Sequence, residues 1–310
     1  MRKRAVQVTN NGAPPIHPSV TGGREDGMAL VLTLMILVII TAMVTEFSYT
    51  VYTATSSLYN WKDSQRLSFV ARSGVTLTVK TLIDMQNLLK YTYPGRVEMP
   101  VGDILDGFSG SVSISVEDED GKFNLNSLVY ENQVDNQAAI RVFRNLLKNQ
   151  GLNEGIADRV ADWIDRDSDP RVRDSEDGAK NAFMDSVDEL LLINGIDQRA
   201  YERLLPYVTV YGPPNLISIN INTAPKPVIM AIYDNVEGTA DKIIREREFK
   251  PFEEKGEFEA RTGVTSTNII FKSSRFRLRV MAEENRIRRL IESVVEIKGG
   301  SASVKYWKEI

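Results

Sequence analysis

The chain has 310 residues, 26% of them charged and 42% hydrophobic, with no cysteine, one histidine and a formal charge of −4. That length supports a sizeable core and about two domains, and the balance of apolar and charged residues excludes wholesale disorder. Without cysteine there is no disulfide and no thiolate nucleophile or metal ligand. With His17 alone, in a Pro/Gly-rich stretch, there is no Ser-His-Asp triad or histidine metal site in the body.

In chain order, Arg2, Lys3, Arg4 and Arg24 precede Met28–Thr45, a run with no charge. As a helix this run spans roughly 27 Å, enough to cross the hydrocarbon core. Basic residues lie before it and none directly after, which places the N-terminus in the cytoplasm and the rest of the chain outside. A cleaved secretory signal fits poorly, because Ala42-Met43-Val44-Thr45 is no small-x-small site. A plain signal anchor fits. So does a third reading: Arg24-Glu-Asp-Gly27-Met28 resembles a type IV prepilin processing site, cut after Gly27 to leave Met28 as the new N-terminus.

From Phe47 to Leu89 there is no proline and one glycine, Gly74. Leu67, Val70, Gly74, Leu77, Thr81, Met85 and Leu88 recur at helical spacing, so the membrane helix continues as an amphipathic stalk ending at Pro94-Gly95. Residues 110–117 alternate as a half-buried strand, and Asp118–Asn126 makes an acidic turn and a short extended segment. Helices are expected at 138–147, 152–165 and 186–193, the last with a capping box of Ser186 and Glu189, and at 198–205, 227–233 and 239–247. Val208–Tyr211 and Ile217–Ile221 are brief strands. Residues 276–282, 288–297 and 303–308 read as an antiparallel meander turning at Glu284-Asn285 and Gly299-Gly300. Arg275, Arg277 and Arg279 share one side of it, a basic outer face and a candidate contact surface. A helical insert between an early strand and a late meander makes the class α+β.

Three clusters carry chemistry. The loop after Ile164 places Asp165, Asp167 and Asp169 at positions 1, 3 and 5, and Glu176 at 12, of an EF-hand pattern. Pro170 replaces the glycine that the pattern needs, so this is not an EF-hand. Its hard oxygen ligands still suit Ca²⁺, and such close carboxylates repel one another without a cation. The alternative is a solvated loop paired to Arg166, Arg171 and Arg173. Second, Ile219–Pro227 with Ala240–Arg247 and Phe252 resembles a helix-hairpin-helix module. Its hairpin reads Asn235-Val-Glu-Gly238, which lacks the first glycine and presents Glu237 where a phosphate would sit. A pair of packed helices is the preferred reading, and no nucleic acid is expected. Third, paired carboxylates for acid–base catalysis lack a defined spacing, and there is no phosphate-binding glycine motif.

Together, several stretches resemble the K-type minor pseudopilins of bacterial type II secretion: the Gly27/Met28 junction, Glu46-Phe47-Ser48, Ala71–Val75, Asp118–Asn126, Ala161–Asp165 with its acidic loop, Asp188–Leu191, Leu205–Thr209 and Ile221–Ala224. The resemblance implies a prepilin leader (1–27) removed by prepilin peptidase and a transmembrane and stalk helix (28–92). It implies a pilin-like antiparallel sheet domain (93–125 and 268–310) with a large α-helical insert (126–267). It implies an inner-membrane protein with a periplasmic body, a structural part with no enzymatic role. Its partners would be the I- and J-type minor pseudopilins, the major pseudopilin and inner-membrane lipid, at the tip of a pseudopilus. Calcium would bind among Asp165, Asp167, Asp169, Asp174, Glu176 and Asp177. Most pilins carry Glu at the fifth mature position, to neutralise a neighbour's terminal ammonium in the membrane. Here that position is Leu32, as in the K-type family, which suits a subunit with none ahead of it. The alternatives are a pseudopilin of a type IV pilus or DNA-uptake system, and a signal-anchored periplasmic enzyme using the acidic loop.

Overall fold

The computed structural model describes residues 25–92, 108–265 and 267–310. Residues 1–24 of the expected leader, and the Pro94-Gly95 stop, lie outside them. Internal packing divides the chain into two units, Met1–Lys62 and Asp63–Ile310.

The first unit contributes the start of one helix, α1 (Glu25–Leu88), which runs without interruption. Among the described residues it is the one helix long and apolar enough to cross a membrane. Its apolar side chains stand exposed from Met28 to Val44. The threonine hydroxyls turn back onto the helix: Thr33 donates to Leu30 O at 2.8 Å, Thr41 to Leu37 O at 2.7 Å and Thr45 to Thr41 O at 2.8 Å. No hydroxyl donor in this run is left to be solvated by lipid.

In the second unit the rest of α1 lies against a four-stranded sheet in the order β1-β6-β7-β8. The strands are β1 (Ser111–Asp118), β6 (Arg275–Glu284), β7 (Ile287–Lys298) and β8 (Ser301–Glu309), and every pair is antiparallel. The meander turns at Asn285-Arg286, one residue later than expected, and at Gly299-Gly300. All four of these residues have positive φ, the signature of a tight hairpin. The core under the sheet joins Leu67, Ala71 and Val75 to Ile114, Leu278, Val280, Ile291 and Val295.

The buried stripe of α1 is rotated from the expected one. Leu67, Val70 and Gly74 meet the sheet, but Leu77, Met85 and Leu88 are exposed, and Ser64, Ser68 and Thr78 are buried in their place. Close approach explains the choice. A Cβ on Gly74 would lie 2.8 Å from Val280 Cγ1, so small residues stand where helix and strand touch. Thr78 satisfies its hydroxyl on Gly74 O at 2.7 Å.

Between β1 and β6 the chain leaves the sheet and builds a second core. Its elements are β2 (Phe123–Asn124), α2 (Gln137–Asn149), α3 (Ile156–Ile164), α4 (Gln198–Leu204), β3 (Val208–Thr209), β4 (Ile219–Asn220), α5 (Lys226–Ile232), α6 (Glu237–Phe249), α7 (Lys255–Thr262) and β5 (Ile269–Ile270). Four of these pair in parallel, β2 with β3 and β4 with β5. Helix α7 was not expected, because its sequence Lys-Gly-Glu-Phe-Glu-Ala-Arg-Thr offers Phe258 as its one large apolar residue. Ser186 and Glu189 do form a capping box, but the segment they start, Val187–Leu192, is a 3-10 helix.

The arginine face of β6 is largely covered and not the basic outer face expected: Arg275 is buried and Arg277 mostly so, while Arg279 stays exposed. This face meets the acidic turn that leads into the insert, and that correction has a simple electrostatic cause. Arg275 pairs with Asp120 at 2.6 Å and Glu296 at 3.2 Å, and Arg277 with Glu119 at 2.6 Å and Glu292 at 2.7 Å. Arg279 pairs with Glu117 at 3.2 Å and Glu292 at 3.4 Å. The sequence shows three cations in a row; Glu292 and Glu296 pair with them from the next strand, but Glu117, Glu119 and Asp120 lie more than 150 residues away along the chain. Glu119 is 1% exposed, and although burial opposes its charge, Lys122 and Arg277 hold its pKa below the usual value.

The same turn clips together both connections to the insert. Asp120 accepts from the backbone N–H of Ser274 at 2.7 Å and of Arg275 at 3.2 Å. Asp118 accepts from Ser273 Oγ at 2.5 Å, Thr223 Oγ1 at 2.6 Å and Asn220 Nδ2 at 3.0 Å. The end of the stalk joins this node, where Thr92 donates its N–H to Phe271 O at 3.0 Å and accepts from Ser273 N at 3.0 Å.

Two predictions follow from the node. Arg277→Met removes one of the two cations beside buried Glu119 and should cost about 3 kcal/mol of stability, while adding Glu119→Gln should recover most of it, as read by thermal melts of the full chain in detergent. Burial, then the charge of Asp120, pushes Asp118 up from 3.8 to about 6. A raised carboxylate favours the folded state as pH falls through its folded pKa toward its unfolded one. Stability should therefore rise by about 1 kcal/mol between pH 7.5 and 5.5 on account of this group, and Asp118→Asn should remove that part of the trend.

Candidate functional site

Two places carry the residues that the sequence singles out. The first is the start of α1. Gly27, Met28 and Leu32 lie in its opening turns and are exposed, Met28 at 75% and Leu32 at 62%. A Cβ at Gly27 would meet no atom within 4 Å, so packing does not demand a glycine there. Glycine inside a helix costs up to about 1 kcal/mol relative to alanine, so its presence needs another reason.

The second is the acidic region at the end of α3. This helix buries Ile156, Val160, Trp163 and Ile164, and its last turn carries Asp162 and the C-cap Asp165. Both carboxylates are fully buried, at the negative end of the helix dipole, where cations are favoured and anions are not. Asp165, Asp167 and Glu176 bring one ligand oxygen each to within 4.8 Å of one another. Among the described residues no other such group of carboxylates forms. Asp169, Asp174 and Asp177, expected as possible members, are exposed and lie outside it. Asp174 has φ 62° and turns toward Arg173.

Asp165 Oδ1 and Glu176 Oε1 are buried without a hydrogen-bond partner. Burial raises the pKa of Asp165, and Arg171 offsets that only in part. Burial and the charges of Asp165, Asp162 and Asp167 raise that of Glu176. Two orphaned carboxylate oxygens in a convergent acidic group are the donor set of a hard cation such as Ca²⁺, and the residues fit one. Arg171 supplies one positive charge from the same loop, to Asp162, Asp165 and Asp135. Asp135 and Asp162 were not singled out from the sequence. Asp135 comes from the segment before α2, far from the loop in sequence. Asp162 was legible only as an acid three residues before Asp165 at a helix C-terminus.

The hairpin between α5 and α6 is a pair of packed helices, the preferred reading. Lys226 pairs with Glu237 and Asp241 at 2.8 Å each, so the first turns of α6 already hold their acids against a cation.

A long N-terminal helix packed on an antiparallel sheet, with a helical body inserted between the first and second strands of that sheet, defines a pilin-like protein of the α+β class. The family described as "Type II secretion system (T2SS), protein K" matches this chain at residues 121–214 and again at 219–275. The type II secretion system protein K of Pseudomonas aeruginosa is 34% identical over 164 residues, covering 48% of each chain, so this alignment spans about half of that relative's length. That of Pectobacterium carotovorum is 32% identical over 241 residues, covering 68% of this chain and 71% of its own. That of Aeromonas hydrophila is 26% identical over 317 residues, covering 87% and 92%. A chain in the solved GspK-GspI-GspJ complex of enterotoxigenic Escherichia coli shares the fold, with a TM-score of 0.59 at 20% identity over 83% of this chain and 99% of that one. The chain belongs to the type II secretion system protein K family, the minor pseudopilins of that machinery.

The acidic group makes one prediction that needs no ligand. Glu176→Gln removes a like charge and should raise the melting temperature of the full chain in chelator by about 2 °C. A lower melting temperature would mean that Glu176 is already balanced within the fold.

Proposed function

We propose that this chain is the tip subunit of a type II secretion pseudopilus, where it starts or caps assembly, and that its role is structural and not catalytic. The observation that carries the proposal is Leu32. A filament shaft needs each subunit to bring a carboxylate to the ammonium of its neighbour within the membrane, because an unpaired charge there is costly. Leu32 brings none, so this subunit has no site for a neighbour ahead of it.

The rest of the reading follows the same logic. Cleavage after Gly27 by a prepilin peptidase gives a purpose to a glycine that packing does not require. Arg2, Lys3, Arg4 and Arg24 hold the N-terminus on the cytoplasmic side of the inner membrane, with the second unit in the periplasm. Its neighbours are the I- and J-type minor pseudopilins, in keeping with the GspI and GspJ of the related solved complex, and then the major pseudopilin. Asp165, Asp167 and Glu176 hold Ca²⁺, which supplies the positive charge that the buried carboxylates lack.

Leu32→Glu tests the tip role. It should let the subunit enter the shaft and lower export of a secreted reporter enzyme, whereas unaltered secretion and localisation would contradict it. Calcium should raise the melting temperature of the wild-type chain and leave Glu176→Gln nearly unmoved, and equal shifts in both would remove Glu176 from the site.

A further inference from the structure

Asp162 is wholly enclosed yet takes no part in the converging group. Its Oδ1 accepts from the Arg171 guanidinium, and its Oδ2 accepts from the Arg171 backbone N–H at 3.0 Å and from the Ser175 hydroxyl. Both oxygens are thus used by protein donors, and Asp162 ties the loop to α3 at residues 171 and 175. Arg171 Nη1 also reaches Asp165 Oδ2, and its Nη2 reaches Asp135 Oδ1 at 2.5 Å. One oxygen of Asp165 is therefore held by the guanidinium while the other, Oδ1, is buried and unpartnered. The Ser175 N–H closes a turn onto Val172 O at 3.2 Å, immediately before Glu176.

From this geometry we propose that Asp162, Arg171 and Ser175 form a frame that positions Asp165, Asp167 and Glu176 for a divalent cation, with the guanidinium remaining in place beside the bound ion. The inference rests on the cation reading above and adds how the loop is shaped for it. Charge balance permits both cations. Asp135, Asp162, Asp165, Asp167 and Glu176 face one guanidinium, so a divalent ion still leaves the cluster negative. Asp165 bridges the two, one oxygen to each. Asp162, Arg171 and Ser175 are positioning residues, and none of them touches the ion.

The competing account makes Arg171 a stand-in that the metal must displace, and it gives the opposite sign. If Arg171 only opposes the incoming charge, Arg171→Gln tightens calcium binding. If it holds the frame, the same change weakens it despite making the site more negative.

The test is calorimetric titration of Ca²⁺ into the full-length protein in detergent. The frame predicts about a tenfold or greater loss of affinity in Arg171→Gln, a smaller loss in Ser175→Ala, which alters no charge, and partial rescue in Arg171→Lys. Affinity in Arg171→Gln equal to or tighter than wild type would overturn it. A second readout needs no metal. In chelator, amide exchange across residues 166–177 should quicken in Arg171→Gln and in Ser175→Ala, and unchanged protection in both would overturn the frame. Wild-type protein that takes up no Ca²⁺ would overturn the cation reading alone, and the exchange measurement would still decide the frame.

Discussion

Arg275 and Arg277 on one side of β6 pair with Asp120 and Glu119 of the acidic turn that follows β1, and these ion pairs hold the pilin-like sheet to the start of the insert. The sheet must carry α1 on one face, so the insert can attach only on the other. A helical body hung from two chain crossings would otherwise swing on them. Glu119 and Asp120, in the turn that leads into the insert, prevent this by pairing with arginines on the strand where the chain returns. Buried ion pairs give little net stability but are costly to break singly, so their effect is to specify one arrangement. Asp118 and Asp120 also bind the backbone and side chains of the returning segment, so entry, exit and the end of the stalk share one hydrogen-bonded node.

Much of this fold was legible in the sequence, where local pattern and global packing agree. The uncharged run Met28–Thr45, the alternation of 110–117 and the paired turn residues of the meander each declare their structure through one short-range rule. Legibility failed where the deciding partner was distant. The arginines of β6 read as a solvent face because no local pattern reveals Glu119 or Asp120. The stalk stripe was misplaced because Gly74 packs closely on Val280, and Ser64 is buried with its hydroxyl accepting from Arg289 on β7. Helix α7 escaped because one Phe258 is enough to seat it beside Phe252 and Phe271.

The acidic region shows the same division. Composition and spacing marked the loop as a candidate cation site, and the family resemblance widened the candidate ligands to six. Folding brings only Asp165, Asp167 and Glu176 together, and leaves Asp169, Asp174 and Asp177 in solvent. The residues that shape the loop, Asp162 and Ser175, looked like an ordinary helix acid and an ordinary turn serine. With no cysteine anywhere in the chain, its loops are tied by ionic and hydrogen-bonded contacts and by no disulfide. The charge asymmetry thus has a structural side: the acidic loop gathers three carboxylates at the end of α3, and the arginines of β6 are paired within the fold.

The central claim is that this subunit has a place at the end of the filament and none along it. Counting labelled copies on single assembled pseudopili tests that directly. The account predicts one copy per filament, at an end, whatever the filament length. Copies spaced along the shaft, or a number that grows with length, would contradict it.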